Sequence, residues 1–301
     1  MVMRMKPRCT ILIITKGNKK FLDRITEYYN PHIKEFNFLI ANSGDKYDTT
    51  IPQIMFAKDI DPYMKISKIL NMIETKYVVV CADDDFIVPN AICKCINFLE
   101  LNNDYIVCHG LYKRVSHYHN WFVWSKRYNT VSTTDEHQFN RFQQHLNNYM
   151  PTLYAVHRTD IMKKAFNEFA KSNVGGWVFG ELLTSILDSI YGKIKILPIF
   201  YCARYYPLES VNGKELGWHI KHDLCFNNKL VNFKRCLERN MRGSGISRFQ
   251  LRLKINKNVN NYVTKCINQK KTMKYPLPKI IRIIYRAKNI IYENLKTKSI
   301  I

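Results

Sequence analysis

The chain has 301 residues, of which 46% are hydrophobic, and carries nine cysteines and a formal net charge of +23. That length supports a substantial core, in one large domain or two small ones. The charge raises nucleic acid and anionic membranes as partners, and no apolar run reaches the roughly 20 residues that a membrane span requires. Met1 to Arg8 lacks an apolar segment of leader length. Cys81, Cys93, Cys95, Cys108 and Cys202 sit in apolar stretches, as free thiols do. Cys93-Lys94-Cys95 has no second Cys/His pair at zinc-like spacing. A reduced, cytoplasmic protein is expected.

Residues 9–15 are a continuous apolar, β-branched run and predict a buried first strand. Lys16-Gly17-Asn18 breaks it, and residues 21–29 predict a helix ending before Pro31. Residues 36–42 predict a second strand, closed by Ser43-Gly44-Asp45. Strand, helix and strand joined by short turns imply a parallel βαβ unit. Residues 64–74 predict an amphipathic helix, on which Lys65 and Lys68 read as the solvated side or as groups facing a phosphate.

A third strand begins at Tyr77 and breaks into Asp83-Asp84-Asp85. Pro89 and Asn90 follow, then a helix over 91–99. Three adjacent carboxylates repel one another, and a helix cap needs only one short polar side chain. A hard divalent cation, shared with phosphate, would offset that repulsion. In open α/β sheets, ligands sit at the carboxyl ends of strands.

Further strands are predicted at 104–110 and 121–124, the second in an aromatic and basic context. Such interleaving suits stacked bases or sugar faces, and no RNA-binding signature accompanies it. A helix over 135–147, a strand over 152–158 and a helix over 161–170 come next. The loop Asn173-Val174-Gly175-Gly176-Trp177 then leads into an apolar helix with Glu181 at its head. Glu181 either complements that helix's dipole or serves as a general base, with Asp188 its competitor. Residues 193–206 predict a short hairpin or bent strand, and Arg204 at its end suits phosphate.

The apolar strand, Ala82-Asp83-Asp84-Asp85, the following Pro89 and helix together resemble the Asp-x-Asp segment of GT-A fold nucleotide-sugar glycosyltransferases, family 2 type. They are most similar to the bacterial capsule and lipopolysaccharide relatives of that type, over roughly residues 9–204. The resemblance implies a Rossmann-like mixed sheet flanked by helices. Mn²⁺ or Mg²⁺ would be held by Asp83 and Asp85, with Asp84 in support or on the ribose or sugar. Thr15, Lys16, Asn42 and Ser43 match the positions that hold base and ribose. The family often has an acidic residue where Asn42 stands, so the base stays open, with UDP favoured, and residues 42–45 also read simply as a turn. Glu181 matches the family's base, following the metal motif beside an aromatic. His219, or His222, matches a third metal ligand that such enzymes recruit late in the chain.

The charge is uneven. From Met241 onward, fifteen Lys and Arg residues stand against the single acid Glu293. Arg242-Gly243-Ser244-Gly245 reads as a linker, which sets domains at 1–240 (catalytic) and 241–301 (a basic helical extension). Over 279–295, Ile280, Ile284, Ala287, Ile291 and Leu295 share one helical face, with Lys279, Arg282 and Arg286 on another. That pattern predicts an interfacial helix on an anionic leaflet, or a helix docked on the catalytic domain. The expected activity is hexosyl transfer, inverting by resemblance, onto a surface glycan or glycolipid at the inner membrane face, with no nucleic acid partner. A metal-dependent nucleotidyltransferase and a non-enzymatic basic binding protein are the alternatives. Against the first, no phosphate-binding glycine-rich loop follows the first strand.

Overall fold

A computed structural model describes residues 6–118, 121–127, 131–205, 222–242 and 245–268. Its centre is a nine-stranded mixed sheet. β1 (Cys9–Thr15) is buried along its whole length. It lies parallel to β2 (Asn37–Asn42) on one side and to β4 (Tyr77–Ala82) on the other, and β3 (Gln53–Met55) extends the β2 edge. A strand covered on both faces reads as an unbroken apolar run, which is why β1 and β4 are plain in the sequence.

α1 (Lys19–Tyr29) links β1 to β2, with the Asn18 side chain accepting from Phe21 N at its start. α2 (Pro62–Leu70) is capped by Asp61, which accepts from Tyr63 N and Met64 N. It starts two residues earlier than predicted and ends four earlier. Beyond β4, the two-residue strand β5 (Phe86–Ile87) leads into α3 (Pro89–Leu101).

The second half departs from simple alternation. β6 (Tyr105–Tyr118) is twice the length its apolar core suggests, because it pairs in parallel with β9 (Lys193–Tyr205) and antiparallel with β7 (Trp121–Arg127). β9 is therefore one long strand rather than a hairpin. Gly110 lets the two strands cross closely, since a Cβ there would stand 2.5 Å from Ile199 O. β8 (Val156–Arg158) keeps only the end of the predicted 152–158 strand and pairs antiparallel with β4 and β6. The main path runs β3-β2-β1-β4-β8-β6-β9-β5, with β7 beside β6.

α4 (Gln138–Asn147) starts three residues late because Thr133 pairs with Ile194 across the sheet. Arg141 of α4 donates to Ser189 O and Ile190 O, at the negative end of α6 (Trp177–Tyr191). α5 (Thr159–Ser172) and α7 (Phe226–Asn240) share an ion pair between Glu168 and Arg239. α8 (Arg248–Asn268) buries Leu251, Ile255 and Val259. The chain divides into compact units Met1–Val263 and Thr264–Ile301. The predicted 279–295 helix lies outside the described residues. Among the described residues, no helix is long and apolar enough to cross a membrane.

Candidate functional site

The carboxyl ends of β1, β2 and β4 meet at one edge. There Lys16, Gly17, Ser43, Gly44, Asp45 and Lys58 line a cleft of about 240 Å³. Two turns touch at its base. Gly17 adopts a φ of +82°, and a Cβ on Gly44 would stand 2.0 Å from Lys16 O, so neither turn tolerates a side chain at that contact. Lys58 and Asp45 pair across the mouth at 3.4 Å.

Of the four residues matched to base and ribose, Lys16 and Ser43 line this cleft and the other two lie behind it. Asn42 is 0% exposed. Its amide donates to Asp45 O and Gln53 Oε1, and its carbonyl oxygen accepts from Gly44 N. It shapes the turn from inside, with its amide nitrogen and oxygen both bonded within the protein. Thr15 also works from behind. Its hydroxyl accepts from Gly17 N at 2.9 Å and donates to Asp83 Oδ2 at 2.5 Å.

The aspartates differ in surroundings. Asp83 is half-buried, and its carboxyl is pushed above the usual range by burial, with the Thr15 hydroxyl opposing. Asp84 is raised by burial while the Arg204 and Arg24 charges oppose. Asp85 is 3% exposed and pushed up to about 7 by burial, with Arg204 opposing and Asp84 adding to the rise. Asp85 Oδ1 accepts from Tyr205 N at 2.6 Å, and Oδ2 lies 3.6 Å from Arg204 Nε. The run thus fastens the end of β9 beside the end of β4.

The residues fit a hard cation only in part. Both carboxylates are oxygen donors of the kind Mg²⁺ and Mn²⁺ prefer. Among the described residues, no group of three or more His, Cys, Asp or Glu could hold a metal. Such a cation would need substrate phosphates to complete its shell, which is its ordinary habit. His219 lies outside the described residues. His222 lies within them, three residues before Cys225, the N-cap of α7.

Glu181 stands in a second hollow, lined by Tyr112, Met150, Pro151, Leu153, Tyr154, Trp177 and Arg204. The helix begins at Trp177, so Glu181 lies in its second turn rather than at its head. Gly175 and Gly176, at φ +52° and +78°, turn the chain into α6, and Gly176 N donates to Asp61 Oδ2. Gly180 presses its backbone against Tyr63, where a Cβ would stand 2.5 Å from the ring. Tyr63 stacks on Phe166 and meets Trp177 edge-on. Burial pushes the Glu181 carboxyl up, while the Arg204 charge and then the Tyr149 hydroxyl pull it down. The competitor Asp188 is buried and accepts from Thr152 Oγ1 at 2.6 Å, with His157 Nε2 3.0 Å away. It is an internal strut.

Sequence reasoning missed two contributors, Arg24 and Asp61, and left Lys65 between two readings. Lys65 is buried beneath the cleft rather than solvated. Arg24 lies over the rings of Phe21, Phe86 and Tyr205. Asp61 ties the Gly175-Gly176 loop to α2. Only Asp61 carries a readable signal, as a cap before Pro62.

No family model matches the chain, and no curated protein matches it in sequence. Solved structures do match in fold. Residues 1–349 of S. aureus TarS align with a TM-score of 0.56 at 10% identity, over 90% of this chain and 76% of that one. The same fragment in complex with UDP-GlcNAc gives 0.57 at 11%, with the same coverage of both chains. Its complex with UDP gives 0.51 at 12%, over 92% and 78%. The chain has a GT-A-like fold: a mixed α/β sheet flanked by helices.

Proposed function

We propose that the chain is a metal-dependent glycosyltransferase that moves a sugar from a nucleoside diphosphate donor, UDP favoured, to a glycan or glycolipid acceptor. One observation carries the reading: Arg204 stands between the two acidic centres. It pairs with Asp85 and lines the hollow that holds Glu181. Residues about a hundred positions apart thus face a common cation, near the cleft lined by Lys16 and Ser43. The UDP and UDP-GlcNAc complexes of TarS support the choice of donor.

In this reading Lys16 and Ser43 contact the nucleoside at the cleft, and Thr15 holds Asp83 from behind. Asp83 and Asp85, with the donor phosphates, would hold Mg²⁺ or Mn²⁺, whose chemistry there would be to neutralise charge on the leaving diphosphate. Arg204 adds fixed positive charge beside it. Glu181 takes the proton from the acceptor hydroxyl as that oxygen bonds to the anomeric carbon, with inversion. Its raised affinity for a proton suits that task. Trp177, exposed at the rim of the hollow, offers a flat face to a sugar ring. The basic stretch from Met241 would hold the enzyme at an anionic membrane. α8 contributes Arg248, Arg252, Lys254 and Lys257, with Phe249 and Leu253 exposed among them.

A thermal-shift panel of UDP, GDP, CDP and CMP, each with Mn²⁺ and again with EDTA, tests this. A ligand that binds only the folded state raises the midpoint by mass action. A rise with one diphosphate that EDTA removes is expected. No rise with any nucleotide would overturn the reading.

A further inference from the structure

Lys65 is the fourth residue of α2 and is 3% exposed. Lysine is almost never so buried without a charged partner. Here both partners are neutral: Nζ donates to Thr15 O at 2.8 Å and to Ser43 Oγ at 3.1 Å. Burial draws the ammonium's pKa down to about 8, with the Asp83 charge opposing and Lys16 adding to the fall.

These hydrogen bonds do not require a lysine. Thr15 O also accepts from Ser43 N at 3.1 Å and from Ser43 Oγ at 3.3 Å, so the carbonyl would keep partners without the lysine. A methionine would fill a similar volume without the cost of burying a charge. Fold stability therefore does not account for the ammonium.

What surrounds it does. Thr15 is the last residue of β1 and Ser43 the first beyond β2. Thr15 also holds Asp83 at the end of β4. Lys65 thus reaches, from beneath, the point where all three strand ends converge on the cleft. We propose that Lys65 is a positioning residue of the donor site: it clamps the ends of β1 and β2 so that Thr15 keeps its hydroxyl on Asp83 and Lys16 and Ser43 keep their places along the cleft. This inference rests on the nucleotide-sugar reading above.

The test titrates UDP with Mn²⁺ into the full chain as wild type, Lys65→Met and Lys65→Arg. Unliganded melting midpoints are taken in parallel. Lys65→Met is expected to lose about tenfold in UDP affinity, about 1.4 kcal/mol, with its unliganded midpoint unchanged or higher. Lys65→Arg recovers part of that loss. Lys65→Met binding UDP as the wild type does would overturn the inference, whatever its midpoint. Should Lys65→Met not fold, Lys65→Gln takes its place in the same comparison. A wild type that bound no nucleotide would overturn the donor reading and this inference together, and it is distinguished by its own flat titration.

Discussion

Arg204 Nε lies 3.6 Å from Asp85 Oδ2, and the same guanidinium stands 5.1 Å over the ring of Tyr154. Tyr154 lines the Glu181 hollow. A planar cation can satisfy a carboxylate at its edge while stacking on a ring by its face, and lysine cannot. Arg204 lowers the proton affinity of Asp84, Asp85 and Glu181 alike. Arg204→Lys is therefore expected to lose about 10- to 100-fold in kcat/KM, about 1.4 to 3 kcal/mol of transition-state stabilisation. Steady-state kinetics on a UDP-sugar checks this. A variant within twofold of wild type would remove Arg204 from the chemistry.

The aspartates should separate by experiment because the protein uses them differently. Asp83 is half-buried and bonded to Thr15. Asp83→Asn is expected to abolish the EDTA-sensitive UDP shift and to leave the unliganded midpoint near wild type. Asp85 accepts the Tyr205 backbone N–H, so Asp85→Ala also strands a backbone donor. It should cost about 1–3 kcal/mol of stability besides the lost shift. Denaturant unfolding beside the thermal-shift assay distinguishes the two. An Asp83→Asn protein that keeps its full metal-dependent shift would contradict the assignment.

How much of this was legible in the sequence depended on what each residue faces. β1 and β4 were legible because both faces are buried, so their side chains are almost all apolar, Thr10 and Thr15 of β1 apart. The long strands β6 and β9 were not, since their pairing with each other, not their own composition, carries them past the apolar cores. Glu181 could be picked out as a lone acid beside glycines and Trp177. Its true place, a turn inside the helix, depends on Gly175 and Gly176 taking positive φ, which no periodicity reports. Lys65 was left between a solvated and a phosphate-facing reading for a related reason. α2 is buried around most of its surface, at Tyr63, Lys65, Ile66, Ser67, Ile69 and Leu70, so a polar letter there did not mark solvent. Asn42 was placed correctly at the turn, while its inward direction follows from Gln53, eleven residues away.

Glu181 gives the pH dependence its sign. A base works ionised, and burial raises the pH at which this carboxyl loses its proton above that of an ordinary glutamate. kcat/KM should therefore fall as pH drops through that raised value, at a pH where a solvent-exposed glutamate would still be ionised. Glu181→Gln should lose about 10²- to 10⁴-fold in kcat and show no such limb, with UDP binding retained. A pH–rate profile with the same acid limb in Glu181→Gln would assign the base elsewhere.

Gly180 tests whether the approach of α6 to α2 sets the catalytic geometry. A Cβ there would stand 2.5 Å from Tyr63 Cγ. The ring cannot swing aside cheaply, because it stacks on Phe166 at 5.7 Å and abuts Trp177 at 5.4 Å. In Gly180→Ala the helix must move instead, at about 1–3 kcal/mol for overpacking. The next residue along is Glu181, so the displacement falls on the proposed base. The proposed donor cleft is built from the β1 and β2 turns and joined to α2 at Lys65, and in this variant it is α6, not α2, that gives way. Turnover should then drop by about tenfold or more, since an ångström of misplacement at a reacting group is costly, while the UDP shift survives in the folded fraction. Loss of both together would mean that α6 supports the fold as a whole. Loss of turnover alone would show that donor binding and proton removal rest on separate parts of the protein, joined through Arg204.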